Sequence, residues 1–322
     1  MEINKRNIWL VIPCYNEEEV LHETAARLYE IMGNLIEMKK ISSDSKIVMV
    51  NDGSSDETWT IINELHHHNS MFCGISLSRN CGHQNALLAG LMSAKNYADA
   101  AISLDADLQD DINVIEQFVD QFNEGKDIVY GVRSSRKKDT LFKRISAEGF
   151  YKIMRGLGVD LVFNHADYRL MSKRALEELS NYKETNLFLR GIIPQIGFPS
   201  ATVEYERNAR FAGISKYPLK KMLSFAFDGI TSFSIKPIRM VLNIGIIVFV
   251  TSIVVLLYSL IAKLTGNTVS GWTSIVGSIW FLGGIQLLSL GVVGEYIGKI
   301  YSEVKHRPHY IVDQILMDEE EM

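Results

Sequence analysis

The chain has 322 residues, with 33 Lys+Arg against 38 Asp+Glu and a formal net charge of −5. That balance excludes a dedicated nucleic-acid binder, which carries a basic excess. At 47% apolar and 22% charged residues, a wholly disordered or collagenous chain is excluded too. Length predicts two structural units at roughly 150 residues each. Three cysteines, Cys14, Cys73 and Cys81, cannot build a disulfide framework and form no CxxC pair, which points to a reducing compartment.

In chain order, Ile8–Tyr15 predicts a buried strand ending at Pro13-Cys14-Tyr15-Asn16. Its apolar run is too short for a secretory segment and is soon followed by Glu17–Glu19. A helical pattern covers Glu18–Met38. Lys46–Asn51 predicts a second strand that enters Asp52-Gly53-Ser54-Ser55-Asp56, a turn rich in helix-capping residues. Helix Glu57–His68, strand Phe72–Ser78, helix Gln84–Lys95 and strand Ala100–Leu104 follow. Helix Asn113–Glu124 and strand Asp127–Val132 continue the alternation. Strands alternating with helices predict an α/β unit with a mostly parallel, Rossmann-like sheet covered on both faces. Ligands of such sheets bind beyond the carboxyl ends of the strands, where every polar cluster of this sequence falls. No G-x-G-x-x-G follows the first strand and no G-x-x-x-x-G-K-[ST] occurs, which disfavours a dehydrogenase and a P-loop enzyme. His66, His67 and His68 are consecutive on a helix and point apart, so they read as a solvated helix end.

The far end differs in character. No residue is charged from Met240 to Ala262, nor from Gly271 to Gly294. About 20 apolar residues suffice for a hydrocarbon core of about 30 Å, so two membrane spans are expected. Arg207, Arg210, Lys216, Lys220, Lys221, Lys236 and Arg239 precede the first; Lys299, Lys305 and Arg307 follow the second; the loop between has Lys263 alone. The positive-inside rule then places both termini in the cytoplasm. Leu219, Met222, Leu223, Ala226, Ile230 and Phe233 recur at spacings of three and four, as in an amphipathic helix lying in the bilayer interface. The expected organisation is a cytoplasmic domain over 1–217, a juxtamembrane helix over 218–237, a two-helix transmembrane region over 238–298 and a cytoplasmic tail over 299–322, its acidic end Asp318–Glu321 solvated.

The strongest chemical signal is Asp105-Ala106-Asp107-Leu108-Gln109-Asp110 directly after a buried strand. Carboxylates at i and i+2 with Gln109 at i+4 can aim hard oxygen ligands at one Mg²⁺ or Mn²⁺, with substrate phosphates completing the shell. Asp52 closes its strand, where its carboxylate can accept from a base or ribose group or serve only the turn and helix cap.

Four stretches together resemble the family 2 GT-A glycosyltransferases: Val11-Ile12-Pro13-Cys14-Tyr15-Asn16-Glu17-Glu18, Val50-Asn51-Asp52-Gly53-Ser54-Ser55-Asp56, Ser78-Arg79-Asn80-Cys81-Gly82-His83-Gln84 and Leu104-Asp105-Ala106-Asp107-Leu108-Gln109-Asp110. The chain is similar, more narrowly, to the polyprenyl-phosphate group that includes bacterial bactoprenol glucosyltransferases and dolichol-phosphate mannosyltransferases. The likeness continues through Gly131-Val132-Arg133, Asp167-Tyr168-Arg169-Leu170 and Arg207–Tyr217, with Tyr168 where the family often has Phe. The two closing runs match the bactoprenol branch.

The resemblance implies that Pro13, Asn16, Glu17 and Asp52 line a nucleotide pocket and that Asp105 touches the nucleotide. Asp107 with Gln109 would hold the divalent cation against the diphosphate. Arg133, Arg207, Arg210 and Lys216 would face phosphates of donor or acceptor, and Asp167 would stand near the reacting centre. It implies an inverting hexosyltransferase of the bacterial inner membrane, with a nucleotide-sugar donor, a polyprenyl-phosphate acceptor and a homo-oligomeric state. A phosphomonoester is largely dianionic at neutral pH. The acceptor therefore needs positioning more than deprotonation, so Asp167 is expected to orient groups or act as a mild base. Two other readings are a processive polysaccharide synthase and a catalytically inactive membrane-tethered binding partner. The R/QxxRW signature expected of the first precedes none of Trp9, Trp59, Trp272 and Trp280, and the broken D-x-D expected of the second is intact at Asp105 and Asp107.

Overall fold

The computed structural model describes residues 5–134, 165–185, 187–206, 236–264 and 271–317. The five predicted strands are present with ends shifted by at most one residue: β1 (Ile8–Cys14), β2 (Lys46–Asn51), β3 (Phe72–Leu77), β4 (Ala100–Ser103) and β5 (Ile128–Arg133). Between them lie α1 (Leu21–Glu37), α2 (Thr58–His68), α3 (His83–Tyr97) and α4 (Ile115–Asn123). Every residue of β1, β2 and β3 is buried. That is why these strands are continuous apolar runs: a parallel sheet covered on both faces has no solvent side to alternate with. Helix α1 buries Leu21, Ala25, Leu28, Met32 and Leu35, one stripe at helical spacing. It starts later than its pattern suggests, because the Glu17 carbonyl takes the N–H groups of Val20 and Leu21 in a turn.

The sheet has eight strands in the order β7-β5-β6-β4-β1-β2-β3-β8. β1 pairs in parallel with β2 and β4, β2 with β3, and β5 with β7 (Ser200–Tyr205). The two antiparallel members are β6 (His165–Ser172), between β4 and β5, and β8 (Val312–Leu316), on the outer edge of β3. Short helices α5 (Lys173–Leu179) and α6 (Leu189–Ile192) lie between β6 and β7.

The chain forms two compact units, and from Arg307 onward it belongs to the unit that holds the sheet. Within 299–322, expected as a cytoplasmic tail, the helix that starts at Trp272 continues to Val304, and Val312–Leu316 is a strand. The second unit contains α7 (Lys236–Leu264) and α8 (Trp272–Val304). At 1.5 Å per residue they measure about 43 and 50 Å. Of the expected pair of spans, one is matched among the described residues by a stretch both long and apolar enough to cross a membrane, Phe281–Val304; Ile238–Val248 is a shorter apolar one. Leu242, Ile247 and Val254 of α7 and Leu287 and Leu290 of α8 are each more than half exposed. So much outward-facing apolar surface marks a lipid or protein contact. Arg207, Arg210, Lys216 and the juxtamembrane segment ahead of Lys236 lie outside the described residues.

Candidate active site

The carboxyl ends of the parallel strands share one edge of the sheet. The start of β6 joins them, because an antiparallel strand beside β4 begins where β4 ends: Ser103 opposes Arg169. The Ser103 hydroxyl donates to the Asp167 carbonyl at 2.5 Å.

On the β1–β3 side, the loops are stitched together by their own polar groups. Asn16 is left-handed at φ 53°; its N–H donates to the Ser54 hydroxyl at 3.1 Å and its Oδ1 accepts the Ser55 N–H at 2.9 Å. The Glu17 N–H donates to the Thr58 hydroxyl at 3.0 Å. Pro13 is buried within β1 opposite Val50. Asp52 is 2% exposed, and its two oxygens accept the N–H groups of Cys81 at 2.6 Å and Gly82 at 2.9 Å. Burial pushes its carboxyl up more than these two N–H groups and His83 pull it down. Asp52 therefore has a structural task alongside any contact with a ligand: it holds the 78–82 loop that opens α3. Gly53 makes room for that loop. Its φ is +61°, and a Cβ there would stand 2.5 Å from the backbone of Arg79 and Asn80. Left-handed strain of about 1–2 kcal/mol and overpacking of about 1–3 kcal/mol predict that Gly53→Ala costs about 2–5 kcal/mol, read as a lowered midpoint in thermal or urea unfolding.

The other side gathers the acidic groups. Asp107 is 9% exposed and its Oδ1 accepts the Gln109 N–H at 3.2 Å across a left-handed Leu108. Gln109 thus touches Asp107 through its backbone. Asp105 Oδ1 is buried without a hydrogen-bond partner. Burial pushes the Asp105 carboxyl up to about 6; His83 opposes this, and the negative charges of Asp110, Asp167 and Asp107 reinforce it. His83 Nε2 lies 3.5 Å from Asp105 Oδ1 and 3.8 Å from Asp167 Oδ2. Asp167 itself accepts from Arg169 Nη2 at 2.5 Å and from Arg190 Nε and Nη2 at 3.2 and 3.0 Å. Burial alone would raise the Asp167 carboxyl, but the Arg190 and Arg169 guanidinium groups outweigh it and hold the group far below the usual carboxylate range.

Arg133, at the end of β5, has its Nη2 3.5 Å from Asp110 Oδ1 and donates through Nε to the Tyr205 hydroxyl at 3.3 Å. That hydroxyl donates to Asp110 at 2.5 Å. Burial and the Asp110 charge push the Tyr205 phenol well up, so it remains a donor.

Asp105, Asp107 and Asp167 are therefore brought together, as are Asn16, Glu17 and Asp52 on the neighbouring loops. Arg133 is drawn to Asp110 and Tyr205. Sequence reasoning gave no role to His83, Asp110, Arg190 or Tyr205. His83 and Asp110 stand inside motifs already quoted; Arg190 and Tyr205 carry no local signal. Among the described residues no group of three or more His, Cys, Asp and Glu encloses a metal by itself. Two carboxylates suffice for a cation whose shell substrate phosphates complete. Asp105 Oδ1, amid like charges, without a hydrogen bond and with the His83 ring nitrogen 3.5 Å away, fits such a use.

Comparison with known proteins gives a family description, Glycosyl transferase family 2, over residues 9–180, and a second, GtrB C-terminal hairpin, over residues 236–300. The uncharacterized glycosyltransferase YkoT of Bacillus subtilis is 57% identical over 311 residues, covering 97% of this chain and 92% of that protein. The bactoprenol glucosyl transferase of Shigella phage SfV is 41% identical over 307 residues, covering 95% and 97%. A solved glucosyl-3-phosphoglycerate synthase from Mycobacterium tuberculosis, in complex with Mn²⁺, UDP and glucosyl-3-phosphoglycerate, is 15% identical at a TM-score of 0.44, covering 70% and 78%. That likeness is too loose to transfer any residue's role.

Proposed function

This chain belongs to glycosyl transferase family 2, and we propose that it moves a single sugar, glucose, from UDP-glucose to undecaprenyl phosphate at the cytoplasmic face of the bacterial inner membrane, with inversion. The observation that carries this reading is the meeting of Asp105, Asp107 and Asp167 at the carboxyl edge of the sheet in a chain that also bears two long apolar helices. The bactoprenol glucosyl transferases similar over nearly the whole chain support the acceptor and the sugar.

In this proposal the loops of Pro13–Glu17 and Asp52 frame the nucleoside. Asp105 and Asp107, with Gln109, would hold Mg²⁺ or Mn²⁺. When bound, that cation supplies Lewis-acid stabilisation of the leaving nucleoside diphosphate, worth several kcal/mol. Asp167, fixed as a carboxylate by Arg169 and Arg190, orients the sugar and the incoming phosphate. The acceptor phosphate is already mostly dianionic, so the site gains by holding it in line with the anomeric carbon. The family resemblance supports assigning Arg207, Arg210 and Lys216 to phosphates of acceptor or donor. Helices α7 and α8 span the bilayer, and the basic flanks place both termini inside.

The test is incubation of membranes containing the full-length protein with labelled nucleotide-sugars and undecaprenyl phosphate, followed by extraction of lipid-linked product. Labelled glucose on the prenyl phosphate, lost in excess chelator and restored by Mn²⁺ or Mg²⁺, is the expected result. Absence of lipid-linked product with every donor overturns the acceptor, and undiminished transfer in chelator overturns the metal role.

A further inference from the structure

The strand that follows the membrane helices ends up beside the nucleotide-side loops. β8 pairs antiparallel with β3 through Gly74↔Leu316, Ile75↔Ile315, Ser76↔Gln314 and Leu77↔Val312. Trp59 Nε1 donates to Gln314 Oε1 at 3.2 Å. A side chain at Gly74 would meet Leu316 and Trp59, so this edge is fitted to its partner. The contact continues past the end of β3. The Ser78 N–H donates to the Ile311 carbonyl at 2.9 Å, and the Ile311 N–H lies against the Cys81 thiol. Ser78 and Cys81 are in the loop whose far end is held by Asp52 and whose middle rests on Gly53. Only residues 305–310 separate the end of α8 from this grip.

We infer that the backbone of Ile311 is a positioning element of the donor site: it fixes the Ser78–Gly82 loop from one side while Asp52 fixes it from the other, and nucleotide-sugar affinity depends on both. This rests on the reading that the donor nucleotide occupies the β1–β3 end of the edge. Ile311 is 57% exposed in its own side chain, so its contribution runs through the main chain. The segment is thus part of the binding site although it touches neither the D-x-D loop nor Asp167 in any described contact.

Cys81 provides the readout. Cys14 and Cys73 are buried and Cys81 is partly exposed, so alkylation of the folded full-length protein in detergent reports the 78–82 loop. UDP-glucose protection of Cys81 gives an apparent Kd without reference to any lipid acceptor. Ile311→Pro removes the N–H and keeps the carbonyl; Ile311→Val keeps both. With thermal unfolding as the check on folding, Ile311→Pro is expected to speed Cys81 alkylation at least fivefold and raise the UDP-glucose Kd about tenfold. Ile311→Val is expected to match the wild type in both. If proline unfolds the chain, Gln314→Leu, which removes the Trp59 contact, is expected to move both quantities in the same direction by a smaller factor. Wild-type alkylation rates in a folded Ile311→Pro or Gln314→Leu protein overturn the inference. So does faster alkylation with an unchanged Kd, or failure of UDP-glucose to protect the wild type. Protection with no product on undecaprenyl phosphate would overturn the acceptor and leave this inference standing.

Discussion

Asp105→Asn is expected to lower transfer about a thousandfold and, at the same time, to raise the melting temperature of the cation-free protein at pH 7.5. Both effects come from one oxygen. Asp105 Oδ1 is buried without a hydrogen-bond partner, and burial together with neighbouring carboxylates lifts the group to about 6. A carboxyl raised above its unfolded value of about 4 binds its proton more tightly when folded. Its favourable contribution is complete below pH 4 and declines as pH rises from about 4 through about 6. Above that range the wild type carries a partly exposed charge among like charges, offset in part by His83, and asparagine does not. Removing one of the two carboxylates among the three proposed cation ligands forfeits part of the several kcal/mol that Lewis-acid stabilisation supplies, hence the loss of rate. Thermal unfolding at pH 4 and pH 7.5, beside transfer assays at saturating Mn²⁺, checks both halves. Equal melting temperatures at pH 7.5 would show that the charge is already compensated.

Asp167→Asn is expected to destabilise the fold by about 3–5 kcal/mol, because removing one partner of a buried ion pair leaves the other charge uncompensated. Arg169 is 1% exposed and loses its carboxylate partner at 2.5 Å; Arg190 loses a two-point contact. The pH dependence runs opposite to that of Asp105. A depressed carboxyl contributes stability that is complete above the unfolded value of about 4 and disappears as pH falls through its folded value. Between pH 5 and 8 this group therefore gives stability no slope. Its pairing also makes it a poor proton acceptor, so the rate of the wild type is expected to show no limb from Asp167 in that range. Urea unfolding of the variant at pH 7 and a rate profile from pH 5 to 8 are the measurements; a rate limb that Asp167→Asn alone removes would restore the mild-base role.

The parts of this fold that could be read from sequence are those whose cause is local. β1 to β5 are mostly apolar runs that open into polar loops, and burial on both faces writes itself directly into such runs. The D-x-D loop is legible because its paired carboxylates directly follow a buried strand and stand beside the other matched motifs. What was not legible depends on distant pairing. β6 is polar at its start, and its place between β4 and β5 is set by registers such as Ser103↔Arg169. β8 is short and half polar, and only its contact with β3 makes it a strand. Arg190 sits on a helix of four residues, too short to show a period, and reaches Asp167 from 23 positions away. Tyr205 likewise acquires its role only when β7 pairs with β5.

The place of β8 in the chain also sets the order of synthesis. Its partner β3 leaves the ribosome about 235 residues earlier. At about 5–20 residues per second the gap lasts about 12–47 s. Throughout that interval β3 offers a bare rim of main-chain donors and acceptors, the kind of template on which nascent chains stick to one another. The rim is closed only after both long apolar helices have been translated. The 78–82 loop would thus gain its grip from Ile311 only after both long apolar helices have been translated.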